Sequence, residues 1–187
     1  MFVETDVSHR VSLATRVDVE HAIDLGDILL MPATMDDLAD YTRLLQDPVV
    51  MKHVGLKEGQ LPTDETCEEI LAGAVKAWQT RGYGRWSIFD NATGDFIGFC
   101  GFRCEEGVPE LLAMVFSEYW GTGIARKAAE ACIEYGRKEL GFKRIVSFTR
   151  PTNGRAKGLL FKIGARLTGF VDFHGVNGMV YELGQPK

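Results

Sequence analysis

Tyr119–Arg126 reads YWGTGIAR, and it follows Glu110–Phe116, ELLAMVF, in which every residue but the first is apolar. A short apolar run bounded by turn residues predicts a strand buried on both faces. The next stretch, Gly123 to Leu140, repeats its apolar residues with a helical period, so the octapeptide is a strand-to-helix turn. Glycines at 121 and 123 let the backbone approach a ligand closely. The first turn of the helix leaves N–H groups with no internal partner, and these donors together with the helix dipole favour a phosphate. Gly121, Thr122, Gly123, Ile124, Ala125 and Arg126 are therefore expected to cradle a pyrophosphate through main-chain amides. Glycine-rich turns of this kind also occur as plain connections and in nucleotide sites. Neither GK[ST] nor GxGxxG is present here.

Working outward, the helix after the motif places Ile124, Ala128, Ala131, Cys132 and Tyr135 inward, and Gly141 stops it. Arg144–Thr149 reads as the next strand, Asn153–Ile163 as a helix ended by Gly164, and Thr168–His174 with Met179–Leu183 as a closing hairpin. Upstream, Trp86–Asp90 and Phe96–Phe102 flank Asn91-Ala92-Thr93-Gly94, a hairpin signal. A long helical pattern follows Pro62-Thr63 and breaks at Gly82, with acids in its first turn. An earlier helix runs through Leu38, Tyr41, Leu44 and Leu45, capped by Thr34 with Asp37 and stopped before Pro48. Ile28–Met31 is a short strand. Residues 1–26 form an N-terminal extension, read as an extra strand or an arm, and 27–187 make one α/β domain.

The chain has 187 residues, 45% hydrophobic and 25% charged, with a formal net charge of -5 and pI near 5.4. That balance gives no basic stripe for nucleic acid and favours a cationic or neutral partner. No apolar run approaches the ~20 residues of a bilayer span, and MFVETDVSHR does not resemble a secretory signal, so a cytoplasmic protein with no membrane partner is expected. Cys67, Cys100, Cys104 and Cys132 lack CxxC spacing and a histidine cluster. They are expected to be reduced thiols rather than metal ligands.

Three further segments, ILLMPATMDDLADYTRLLQDPVVM, GYGRWSIFDNATGDFIGFCGF and TRPTNGRAKGLLFKIGARLTG, agree in order and spacing with the YWGTGIAR motif. Together they resemble the GNAT superfamily of N-acetyltransferases, with Trp120 as in the RimJ/RimL branch. The resemblance spans about residues 27–183. It implies a mixed, mostly antiparallel α+β sheet splayed at its centre with helices on both faces. It implies acetyl-CoA as co-substrate, no metal, and a primary amine acceptor, either a protein N-terminus or a small molecule. A homodimer is a possible assembly.

The resemblance further implies that backbone groups at Met114, Val115 and Phe116 bond the amide-bearing arm of coenzyme A. Asn153 matches a family Asn that bonds the same arm, and it equally suits a helix N-cap. Glu110 stands where relatives often carry an acid. As a carboxylate it would take a proton from the acceptor ammonium, or else it is an exposed turn residue. One departure matters. The tyrosine with which many relatives protonate the leaving thiolate is Leu160 here, which leaves Tyr119, Tyr135 or water for that task. Of the four histidines, His9 and His21 fall in the extension and His53 and His174 on loops, so none is expected to act as a base. The loop Val49–Leu61 and the hairpin Phe170–Val180 are expected to border the acceptor.

Overall fold

A computed structural model of the chain describes residues 20–55, 60–105, 107–173 and 175–184, except the side chains of 104, 105 and 173. His9, His174 and most of the N-terminal extension lie outside the described residues. The elements follow in the order β1 (Ile23–Asp24), β2 (Ile28–Pro32), α1 (Leu38–Leu45), α2 (Asp64–Arg81), β3 (Arg85–Asp90), β4 (Phe96–Glu105), β5 (Val108–Val115), α3 (Ile124–Lys138), β6 (Val146–Thr149), α4 (Gly154–Lys162), β7 (Ala165–Phe173) and β8 (Val176–Leu183). The strands form one open sheet in the order β1-β2-β3-β4-β5-β6-β8-β7. Every pairing is antiparallel except β5 with β6.

Local chemistry sets the ends of these elements. Asp37 Oδ2 accepts from Thr34 N at 3.0 Å, which caps the short 3-10 turn Met35–Asp37 that leads into α1. Thr63 caps α2, its Oγ1 accepting from Thr66 N at 3.3 Å, and Gly82 closes the helix in the left-handed region at φ 71°. Alternation along the strands divides the apolar residues between two cores. Trp86, Ile88, Cys100 and Val115 pack under α3 and α4 with Ala128, Cys132 and Leu160. Phe89, Phe96, Phe99 and Phe116 pack under α1 and α2 with Tyr41, Leu44 and Leu71. Helices therefore cover both faces.

The centre of the sheet is tight on one side of β5 and open on the other. Gly98 of β4 sits opposite Val115, and a Cβ there would lie 2.2 Å from Met114 O and 2.7 Å from Val115 Cα. No side-chain rotation relieves a clash with main chain. Gly98→Ala is expected to cost about 2–3 kcal/mol, read as a lower midpoint in urea at unchanged slope.

One expectation is corrected. The strand before the motif is not covered along its whole length: Ala113 is exposed and Leu112 and Met114 are half-buried. The cause is the short β5–β6 pairing. Of the extra strand or arm expected before residue 27, the described residues form a strand. His21 Nδ1 and the Tyr135 hydroxyl share a 2.6 Å hydrogen bond, Trp86 Nε1 donates to His21 O at 2.7 Å, and Ile23–Asp24 pairs with β2. Lys127, in the first turn of α3, donates to Leu25 O at 2.7 Å and pairs with Asp27.

Deleting residues 1–26 removes the His21 and Leu25 hydrogen bonds, each worth about 1 kcal/mol. The melting midpoint is therefore expected to fall by about 5 °C. Coenzyme affinity should stay near wild type, because none of the described residues 20–26 supplies a group to the turn at 121–126. A melting curve and calorimetry check the two halves of this expectation.

Candidate active site

β5 and β6 are paired at one point, Glu110 opposite Val146. Beyond it β6 turns toward β8, which it pairs from Val146 to Thr149. The last contact before the strands part is Ser147 Oγ donating to Leu111 O at 3.0 Å. From there to Val115, β5 faces a wedge of open space in the middle of the sheet.

Register decides which peptide groups line that wedge. Phe116 N donates to Ile97 O at 3.0 Å, toward β4. In an antiparallel pair the bonding direction alternates residue by residue, so Met114 also bonds toward β4, while Ala113 and Val115 face the wedge. Phe116 O is occupied as well, accepting from Tyr119 N at 3.1 Å. Of the three residues Met114, Val115 and Phe116, only Val115 presents main chain to the split. Ala113 joins it, and its exposed methyl was the visible sign. Trp120 Nε1 donates to Val115 O at 3.2 Å, leaving Val115 N–H and both groups of Ala113 for a ligand.

The wedge runs into the glycine turn. Ser117–Tyr119 makes a short 3-10 turn, Thr122 Oγ1 donates to Tyr119 O at 2.7 Å, and Gly121 and Gly123 take φ of 82° and 93°. A Cβ on either glycine would meet nothing within 4 Å, so these glycines border open space. The first helical hydrogen bond is Lys127 N to Gly123 O at 2.9 Å. Of the expected cradle, Thr122 N donates to Tyr119 O and Ile124 N to Thr122 Oγ1, each at 3.4 Å, while the amides of Ala125 and Arg126 precede the first helical bond and have no partner within the helix. Arg126's side chain turns away along the helix to Glu130, at 2.8 Å. Another cation stands here instead: the Arg155 guanidinium lies over the Trp120 ring, 3.7 Å from its centroid. The sequence carried no pattern linking these two residues. Asn153 caps α4, Oδ1 accepting from Ala156 N at 3.1 Å.

On the opposite face, below α1 and α2, lies Glu110. It is 2% exposed rather than a turn carboxylate in solvent. Arg103, across the β4–β5 hairpin, donates from Nε at 2.9 Å and from a terminal nitrogen at 2.7 Å to Glu110 Oε2. Nearby, Ser87 Oγ donates to buried Asp37 at 2.8 Å. Arg150, which follows β6, donates to Gly55 O in the loop after α1 and so ties the two rims together. Burial pushes the Tyr119 and Tyr135 phenols above their ordinary value. Tyr135 already shares its hydroxyl with His21, and Leu160 is buried in the core.

The central strands part after one paired position, β5 is left without a strand partner beyond it, and the glycine turn that opens α3 follows directly. A family profile described as an acetyltransferase (GNAT) domain matches residues 27–166. The chain belongs to the GNAT acetyltransferase family. GNAT enzymes transfer an acetyl group from acetyl-CoA, and this one is accordingly an acetyl-CoA-dependent N-acetyltransferase. Among relatives, it is 33% identical over 131 residues to the Bacillus subtilis protein YkkB, across 65% of this chain and 70% of that one. The fold is shared with an acetyltransferase from Agrobacterium tumefaciens, with TM-score 0.79 at 21% identity over 89% and 96% of the two chains. It is also shared with RimL, a ribosomal L7/L12 alpha-N-protein acetyltransferase solved with coenzyme A, with TM-score 0.73 at 16% identity over 87% and 97%. The expected α+β fold, with its mostly antiparallel sheet, is thus the observed one. This GNAT chain has no helix among the described residues long and apolar enough to cross a membrane.

Proposed function

We propose that the chain acetylates a primary amine by direct attack in a ternary complex, with acetyl-CoA in the wedge between β5 and β6. The observation that carries this reading is the wedge itself, lined by Ala113 and Val115 peptide groups and leading straight to the amides of residues 121–126. The pantetheine arm adds as a short strand to the open edge of β5, and the pyrophosphate sits on the start of α3. Asn153 keeps its cap and offers its amide nitrogen to the same arm.

The amine enters from the α1–α2 face. Glu110 takes its proton, the nitrogen lone pair forms a bond to the thioester carbon, and the carbonyl oxygen gains negative charge beside a main-chain N–H of β5. Collapse breaks the C–S bond, the electron pair leaves with sulfur, and the nitrogen gives up its second proton to solvent or, through water or Tyr119, to the thiolate. Leu160 has no proton to exchange, and Tyr135 already shares its hydroxyl with His21.

Leu160 also supports a second reading, a module that binds acyl-CoA without turning it over. Thiol release from acetyl-CoA over a panel of amino acids, polyamines and N-terminal peptides separates the two. Release with any amine above the hydrolysis background supports transfer. Tight acetyl-CoA binding with no release across the panel supports the silent module.

A further inference from the structure

Arg85 opens β3 on the face that carries Glu110, and its main chain is held rigidly. Arg85 O accepts from Trp78 Nε1 at 2.7 Å and from Ala33 N at 3.1 Å. Its side chain is half-buried and lies over the Phe99 ring, 5.3 Å from the centroid. Phe99 stacks in turn on Tyr41, at 5.1 Å. The Arg85 guanidinium has no hydrogen bond or ion pair among the described residues, although its five donors are partly withdrawn from water.

The charges around it do not cancel. Glu110 binds Arg103 through two hydrogen bonds, and Asp40 pairs with Arg43 at 3.2 Å. Asp37 accepts from Ser87 and Thr34. Glu110 and Asp37 are the buried carboxylates of this corner, and neither makes an ion pair with Arg85, whose pKa burial lowers from its usual value. The Tyr41 hydroxyl in the same stack is buried beside Ser87 and makes no well-aligned hydrogen bond. Polar groups in this corner exceed their protein partners.

The corner adjoins the wedge. Across the sheet Arg85 stands opposite Gly101, and Gly101 opposite Leu112, the first residue of β5 past the split contact at Leu111. The middle position has no side chain, so none stands between Arg85 and β5 in that row.

We propose that Arg85 anchors a carboxylate on the acceptor, so that the acetylated amine is a small amino acid rather than a bare amine. This rests on the amine-transfer reading above. A guanidinium over an aromatic ring suits a planar carboxylate, which it grips with two parallel hydrogen bonds. The amine would then be fixed at its other end, toward Glu110 and the thioester.

The test compares amino acids with their own carboxamides as acceptors, using the full chain. Wild type is expected to favour at least one acid over its amide by about ten-fold or more in kcat/KM. Arg85→Gln should raise KM for that acid by a similar factor, with KM for the amide and for acetyl-CoA unchanged. Arg85→Lys, which keeps charge and stem, should retain part of the preference and guards against a folding artefact, as does a melting curve for each variant. Equal use of acid and amide by wild type would overturn the proposal, as would an Arg85→Gln loss that is the same for both. If no acceptor is turned over, calorimetry with the same pairs on coenzyme A-loaded protein decides. An acid preference that vanishes in Arg85→Gln upholds the anchor while transfer fails, and absence of any acid preference overturns the anchor.

Discussion

Acetyl-CoA affinity is expected to fall by at least about a hundred-fold in Gly123→Glu, and the protein should still fold. Two effects act at this position. Gly123 has φ of 93°, where an L side chain costs about 1–2 kcal/mol. That strain is bearable because a Cβ there meets nothing within 4 Å. The second effect is larger. The glutamate carboxylate would stand in the open space in front of the amides of residues 124–126, where the pyrophosphate is proposed to lie. Like charges about 4 Å apart repel by about 4 kcal/mol at an effective dielectric constant near 20, and less than that is already a hundred-fold in affinity. Gly123→Ala is the control, since it carries the strain without the charge and should lose far less. Calorimetry on the folded variants reads both. Unchanged affinity in Gly123→Glu would remove the turn from the coenzyme site.

The second large effect concerns Glu110→Gln, for which kcat should fall by about 10²-fold with coenzyme affinity unchanged. An α-amine with pKa about 7.7–8.0, and more so a lysine-like amine near 10.4, is mostly protonated at neutral pH. Something must accept that proton before the nitrogen can attack. Glu110 is buried at the point where β5 and β6 part, on the face from which the acceptor is proposed to enter, and no described histidine occupies a comparable place.

The ion pair complicates the test in a useful way. Glutamine leaves Arg103 facing a neutral amide, so a stability loss is expected alongside the rate loss. Arg103 is partly exposed, so that loss is smaller than for a fully buried pair. Arg103→Gln breaks the same pair and leaves the carboxylate, so a merely structural role predicts equal rate losses in the two variants. A catalytic role predicts that only Glu110→Gln loses the acidic limb of the pH–rate profile. Near-wild-type turnover in Glu110→Gln with an unchanged profile would assign proton removal to water or another group.

The amino-acid sequence by itself determined the elements and the glycine turn that opens α3. The bounds of α1 and α2, the Asn91–Gly94 hairpin, and the strand, glycine turn and helix of residues 110–138 follow from rules that operate within a few residues: helical or alternating period, a capping side chain, a glycine at positive φ. Asn153 as a cap was legible for the same reason. Only the tertiary structure decided what these elements present to a substrate. Met114, Val115 and Phe116 are neighbours in sequence, yet which of them faces the wedge depends on the hydrogen-bond phase of β5 against β4, and a shift of one residue would exchange them. Glu110 read as a strand-end acid until its pairing with Arg103 across the hairpin buried it. His21 and Tyr135 meet across 114 residues. The unpaired charge of Arg85 was invisible in a chain with net charge -5, because net charge sums the whole surface whereas recognition depends on which few charged groups the sheet register brings to one face.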